Sequence, residues 1–155
     1  MTNSVESPLA DYCLDVAQKS RQAAVQLATV RGQQKHTWLL KVAADLRART
    51  SEIVTENAKD LAAGENAGLS SALLDRLKLN PERIESLACA VEEIAALPDP
   101  VGEVIEGTRR PNGLTIEKIR VPLGVIFFIY ESRPNVTIDA AALCIKSGNA
   151  VILRG

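Results

Sequence analysis

Between residues 9 and 97 the apolar positions recur at three- and four-residue spacing, the period of helices that bury one face. Leu9, Tyr12, Cys13, Val16, Ala17, Ala24 and Leu27 form the first stripe, with Asp11, Asp15, Lys19 and Arg21 between them. Gly32 interrupts, and a second stripe starts near Lys35, with Trp38, Leu39, Val42, Ala43 and Leu46 facing one way and Lys41, Asp45 and Arg49 the other. Thr50-Ser51-Glu52 offers a break and a fresh N-cap before Ile53, Val54, Ala58 and Leu61, and Gly64 and Gly68 close that piece. A short helix is predicted over Ser70 to Leu77. In 80-NPER-83 an asparagine cap precedes a proline at the first helical position, where its missing N–H costs nothing; Ile84, Leu87, Ala88 and Val91 then make the buried stripe.

The period changes after 98-PDPVG-102, the clearest punctuation in the chain. The runs 103-EVIEG-107 and 114-LTIEKIRV-121 read as short strands joined through 111-PNG-113, a hairpin signal. The second arm changes parity between Ile116 and Ile119, which predicts a bulge or strong twist there. Next, 124-GVIFFIY-130 has no polar alternation, as expected of a strand buried on both faces of a parallel sheet. A helix from about Val136 to Lys146, with Ala140, Leu143 and Cys144 inward, stops at Ser147-Gly148-Asn149, and 150-AVIL-153 forms a second apolar strand. Two such strands around a helix make a parallel βαβ unit with a right-handed crossover. The chain ends at Gly155, just past a core strand, and the expectation is a truncated sheet.

Charge and composition narrow the function classes. A net charge of −1 and pI of about 5.9 over 155 residues leave no basic field to hold a nucleic acid. The start, MTNSVESPLADYCLDV, has neither the basic opening nor the apolar core of an export signal, and 121-VPLGVIFFIY-130 falls short of the roughly 20 residues of a membrane span, so a cytoplasmic protein is expected. Cys13, Cys89 and Cys144 lie far apart without metal-ligand spacing, and each is expected as a small buried hydrophobe with a protonated thiol. His36, the only histidine, is expected at the surface near a helix start, and no metal site is expected.

In open parallel sheets ligands bind beyond the carboxyl ends of the strands, an edge that 131-ESRPN-135 and Arg154-Gly155 both occupy. Pro134 fixes its own φ and pushes Arg133 into an extended conformation, stiffening the loop. Asn135 has two readings: the N-cap of the helix at Val136, or an amide donor aimed at a developing oxyanion. Arg133 and Arg154 are either solvated charges or guanidinium grips for phosphate. Neither a Walker P-loop nor G-x-G-x-x-G is present.

With those motifs in place the chain resembles the gamma-glutamyl phosphate reductase family of the aldehyde dehydrogenase superfamily. The likeness runs from about residue 10 and is carried by Y-E-S-R-P-N-V-T with S-G-N-A-V-I-L-R-G at 130–155, by 57-NAKDLAAGENAGLSSALLDRLKLNPERI-84 and by 97-LPDPVGEVIEGTRRPNGLTIEKIRVPLGV-125. The resemblance implies an α/β fold with aldehyde dehydrogenase-like organisation: N-terminal helices as part of the cofactor domain (1–97), a linker and oligomerisation hairpin (98–122), and the first βαβ of a Rossmann-like NADP-binding sheet (123–155), left incomplete.

It implies NADPH-dependent reduction of L-glutamate 5-phosphate to the semialdehyde, with phosphate released, in proline biosynthesis. A cysteine thiolate attacks the acyl phosphate, leaving a thioester that accepts hydride. By position, Asn135 matches the superfamily's oxyanion-hole asparagine. Glu131, Ser132, Arg133 and Pro134 form a substrate or cofactor loop, and Arg154 with Gly155 stands where the cofactor ribose is contacted, arginine suiting the extra phosphate of NADP. The helix after Asn135 is about a turn shorter than in general aldehyde dehydrogenases. The family's catalytic cysteine lies in a later domain, and none of the three cysteines here matches it, so an inactive fragment is expected. A homo-oligomer when full length and glutamate 5-kinase as a pathway partner are the partners implied. Two alternatives stand beside this reading: another aldehyde or acyl-phosphate reductase of the superfamily, or a truncated non-catalytic chain that pairs with full-length subunits.

Overall fold

The computed structural model describes residues 8–131 and 133–155. Five helices come first: α1 (Pro8–Leu27), α2 (Gly32–Ala48), α3 (Thr50–Asn66), α4 (Ser71–Leu77) and α5 (Pro81–Ala96). A hairpin of β1 (Val104–Arg109) and β2 (Thr115–Ile119) follows, then β3 (Val125–Ile129), α6 (Pro134–Lys146) and β4 (Ala150–Arg154). This is the expected order of an α/β chain with a parallel β3–α6–β4 unit, paired from Val125↔Ala150 to Ile129↔Arg154.

Local chemistry accounts for most element boundaries. Asn80 Oδ1 accepts from the Arg83 N–H at 2.8 Å ahead of Pro81, and Ser70 caps α4 through Leu73. The interruption expected at Gly32 is instead the first residue of α2, where Gln34 Oε1 accepts the Arg31 N–H at 3.1 Å. Glycine is required there for a tertiary reason, since a Cβ would stand 2.5 Å from Asp99 Oδ2. The hairpin turns through Pro111-Asn112-Gly113, with Gly113 at φ +85° and its N–H donating to Arg110 O at 2.9 Å. The bulge lies in the first arm: Val104 faces Ile119 and Glu106 faces Lys118, leaving Ile105 unpaired. The second arm, where a bulge or strong twist was expected, pairs without a break from Thr115 to Ile119.

Leu39 and Ala43 of α2 pack against Ala88, Val91 and Ala95 of α5, and Ala142 of α6 completes the cluster. Alanines on α5 and α6 let the helices approach closely around one large side chain. The helical segment and the βαβ unit therefore share a core. Several expected inward positions are open instead: Leu143 is half exposed, and α1 buries only Ala24. The larger departure is β3, expected to be buried on both faces, where Phe127 is 60% and Ile129 69% exposed. Hydrophobic composition sets a strand's preference for cover; cover itself needs neighbours, and β3 pairs with β4 alone among the described residues.

A charged cluster closes one end of the core. Lys35, 1% exposed, donates from Nζ to Asp99 Oδ1 at 2.7 Å and to the Lys146 carbonyl at 3.1 Å. Buried Lys146 donates to Ala95 O at 2.8 Å, and His36 Nδ1 donates to the same carbonyl at 2.8 Å. His36 is therefore half-buried at the end of α5 and not the surface residue expected. Lys146 and His36 thus meet at one carbonyl in the last turn of α5, where carbonyls lack helical partners and the helix dipole is negative. Burial pushes the Asp99 carboxyl up, but the Lys35 ammonium, the Val101 N–H and the nearby Lys146 together hold it below the usual carboxylate range.

Buried Asn57 serves the same purpose at the other end, its Nδ2 donating to Leu77 O at 3.0 Å and its Oδ1 accepting the Leu79 N–H at 2.7 Å. These bonds hold the residues between α4 and α5 against α3. Asn57→Ala is expected to cost about 1–3 kcal/mol, because both backbone groups lose their partner inside the protein. A urea midpoint unchanged from the parent would contradict that.

Candidate active site

Both loop segments singled out from the sequence emerge at one edge. Ile129 pairs with Arg154, and the Tyr130 N–H donates to Arg154 O at 2.9 Å, so the chain leaves the sheet at Glu131, beside Gly155. Tyr130 folds over this edge: its hydroxyl bonds Thr137 Oγ1 at 2.5 Å, and its ring lies where a Cβ on Gly155 would meet it at 3.1 Å.

Pro134 is the first residue of α6 and Arg133 its N-cap, at φ −141°, ψ 85°, on the extended side that a following proline favours. Asn135 consequently sits inside the first turn, and its side chain caps nothing, which removes the N-cap reading. Helix α6 begins two residues before the expected start because Pro134 is pre-shaped for that position. The exposed Asn135 amide reaches Asp139 Oδ2, four residues on, at 3.5 Å, at the outer limit of a hydrogen bond. The amide remains available to a better acceptor. Glu131 is exposed at the rim. Ser132 lies outside the described residues.

Asn135 and Arg133 open onto a cleft of about 430 Å³ between α6 and the α4–α5 corner, a volume in the range of small-molecule sites. Leu87 and Ala90 give it an apolar floor; Arg76, Lys78 and Arg83 face Arg133, Asn135 and Asp139 across it. Arg83 is committed to Asp75, at 3.0 Å, and to the carbonyls of Asp75 and Lys78. Arg76, Lys78 and Arg133 have no carboxylate partner among the described residues. Sequence reasoning missed the α4–α5 wall entirely. The only signal was the density of cations in 76-RLKLNPER-83, which reads equally well as a solvated helix end.

Arg154 lies outside the cleft and so does not converge with Arg133. Its guanidinium is exposed, donates to the Gly155 carbonyl and meets no carboxylate among the described residues. An exposed guanidinium without a carboxylate partner suits a phosphate-bearing ligand lying along the strand ends.

None of the cysteines lines the cleft. Cys13 and Cys89 are exposed, contrary to expectation, because α1 and the outer side of α5 have little packed over them. Cys144 is buried, and burial pushes its thiol up. Among the described residues no group of three His, Cys, Asp or Glu side chains is placed to hold a metal ion, and no helix is long and apolar enough to cross a membrane.

No family model matches the chain. Individual relatives do: it is 56% identical over 145 residues to gamma-glutamyl phosphate reductase of Carboxydothermus hydrogenoformans, covering 94% of this chain and 35% of that protein. The reductase of Thermobifida fusca is 59% identical over 140 residues, 90% of this chain and 34% of that one. Among solved structures, gamma-glutamyl phosphate reductase of Thermotoga maritima superposes with a TM-score of 0.88 at 42% identity, over 92% of this chain and 34% of its own. The Saccharomyces cerevisiae enzyme gives 0.86 at 36% identity, over 91% and 36%. The chain thus spans about a third of the length of the relatives it matches. Nearly all of its described fold is therefore homologous to one third of gamma-glutamyl phosphate reductase.

Proposed function

We propose that this chain forms the oxyanion-binding and part of the NADP-binding portion of a gamma-glutamyl phosphate reductase, which reduces L-glutamate 5-phosphate to the semialdehyde in proline biosynthesis. The observation that carries the reading is Asn135, held in the first turn of α6 at the carboxyl edge of the sheet and opening onto a cationic cleft, in a chain 54–59% identical to such reductases.

The residues have distinct roles in this reading. An acyl phosphate seated in the cleft places its carbonyl oxygen at the Asn135 amide, whose N–H groups stabilise the charge that develops when a thiolate adds to the carbon. Arg133, on the same wall, offsets the charge of the departing phosphate. A second oxyanion forms when hydride reaches the thioester, and the same amide serves it. NADPH supplies that hydride when bound. Arg154, exposed at the strand ends, would hold its extra phosphate. The thiolate comes from outside these 155 residues, since no cysteine of the chain faces Asn135. The exposed hairpin, with Ile105, Leu114, Ile116 and Ile119 open to solvent, serves as an oligomerisation arm, and residues 1–97, 98–122 and 123–155 divide the work accordingly.

The isolated chain is expected to show no NADPH oxidation with glutamyl phosphate. A chimera that joins it to the remaining two thirds of the Thermobifida fusca reductase is expected to restore turnover. Activity in the isolated chain, or a folded chimera that binds NADPH and does not turn over, would count against the reading.

A further inference from the structure

The first turn of α6 carries Asn135, yet little in its own sequence holds that turn in place. Pro134 contributes no N–H, Arg133 gives the helix no side-chain cap, and no acidic residue stands in the turn. Packing against the core starts later, with Ile138, Ala140 and Ala142. Among the described residues, the side-chain bond that ties the turn to the sheet is the one between Tyr130 and Thr137, at 2.5 Å. We infer that Tyr130 is a positioning residue: by clasping Thr137 it fixes the rotation of the first turn of α6, and with it the direction in which Asn135 presents its amide to the cleft. The inference rests on the function proposed above and adds to that site a residue that acts through Asn135.

Other helical hydroxyls in the chain behave differently. Ser20, Thr37, Thr55 and Ser86 each donate to the carbonyl four residues earlier, at 2.8–3.0 Å, the usual local outlet for a hydroxyl on a helix. Thr137 has the Arg133 carbonyl at that spacing and turns to Tyr130 instead. Tyr130 is in turn fixed to the sheet at three points. Its N–H donates to Arg154 O at 2.9 Å, its ring fills the space that a Cβ on Gly155 would need, and it tilts toward the Phe128 ring, centroids 6.1 Å apart. A phenol suits this place because its apolar body packs on the sheet while its hydroxyl reaches the helix.

The helix turns this clasp into a lever. At 3.6 residues per turn, Thr137 and Asn135 point about 200° apart, so one meets the sheet edge while the other lines the cleft. A side-chain group about 5–6 Å from the helix axis moves about 1 Å when the turn rotates by about 10°. A misplacement of that size at a reacting centre can cost on the order of 10²-fold in rate. The amide also has a rival acceptor in Asp139 Oδ2, at 3.5 Å, so a loosened turn gives it another direction to face.

The 155-residue chain, ¹⁵N-labelled, gives the first reading. Tyr130→Phe removes only the hydroxyl and is expected to shift the side-chain amide resonances of Asn135, leaving the backbone amides of Leu39, Ala88 and Val91 unmoved. Thr137→Val should reproduce the shift, and Thr137→Ser should keep the parental position. In the active chimera Tyr130→Phe and Thr137→Val are each expected to lower kcat about tenfold, with KM for both substrates within about twofold. The double variant should be no slower than either single one, and Thr137→Ser should stay near the parental rate. Added to Asn135→Ala, Tyr130→Phe is expected to cost nothing further, a result that a general loss of stability would not give. Unmoved Asn135 resonances, or a full additional loss on top of Asn135→Ala, would overturn the inference. A chimera crippled by Asn135→Ala and indifferent to Tyr130→Phe sinks it and leaves the proposed function standing, whereas an inactive parental chimera with the Asn135 resonances displaced by Tyr130→Phe does the reverse.

Discussion

Asp99→Ala is expected to lower the stability of the chain by about 3–5 kcal/mol, because it strands the ammonium of Lys35 in a site only 1% exposed. Lys35 would retain the Lys146 carbonyl at 3.1 Å, which can accept a hydrogen bond and cannot cancel a charge. Lys146 stands close by and would add repulsion. Urea denaturation of parent and variant at pH 7 measures the difference, and a loss below about 1 kcal/mol would mean that Lys35 finds water or another acceptor.

The acid limb gives an independent check. The Asp99 carboxyl titrates lower in the folded than in the unfolded chain, so its stabilisation is fully present above its ordinary value near 3.8 and is lost as pH falls through the depressed folded value. Asp99→Ala should therefore lose less stability than the parent as pH drops below about 4. Glu52, Glu85 and Glu92, each held below the usual range by hydrogen bonds from Arg49 or Arg47, act in the same direction and remain in both proteins, so the difference between the two curves isolates Asp99.

The second large effect belongs to Asn135. In the active chimera, Asn135→Ala is expected to lower kcat about 10²–10³-fold, the loss typical of removing one oxyanion-hole donor. KM should move little, since the amide matters most once the carbonyl oxygen carries charge. Asn135→Asp should be at least as damaging, because a carboxylate facing an oxyanion repels it. If the alanine variant retains a tenth of parental turnover, the oxyanion is stabilised elsewhere and Asn135 merely shapes the loop. Asn135 is exposed and caps no helix, so its loss should leave the urea midpoint nearly unchanged.

Which parts of this molecule were legible in the sequence follows from the range of the forces involved. Asn80-Pro81 marks the start of α5, and Pro111-Asn112-Gly113 marks the hairpin turn, because those residues act on their own backbone. The stripes of α2 and α5 are visible for the same reason: the buried Leu39, Ala43, Ala88 and Val91 obey a local period. Lys35 and Lys146 defeat such reading, since a lysine in a helical pattern looks like a solvent residue until a carboxylate 64 positions away is folded onto it. The same limit hid the far wall of the cleft. Asn135 was legible through a stiffened, polar exit from an apolar strand, whereas Arg76 and Lys78 gain meaning only from facing α6, more than 50 residues later. Exposure of Phe127 and Ile129 escaped in the opposite sense, because composition states what a strand prefers to contact and not what is there.

The two ends of α6 are held very differently. At its carboxyl end Lys146 is tied into α5, and Gly148, at φ +75°, is wedged so closely against Pro122 and Val101 that a Cβ would meet them at 3.0–3.2 Å. At its amino end Pro134 and Asn135 make no such attachment. The helix is gripped by backbone and charge where folding is decided, and held more lightly, through Thr137 on Tyr130, where chemistry is proposed. Mutations at the tip can then accumulate without eroding the fold, and a new acyl substrate could be explored there by lineages whose anchoring end never changes.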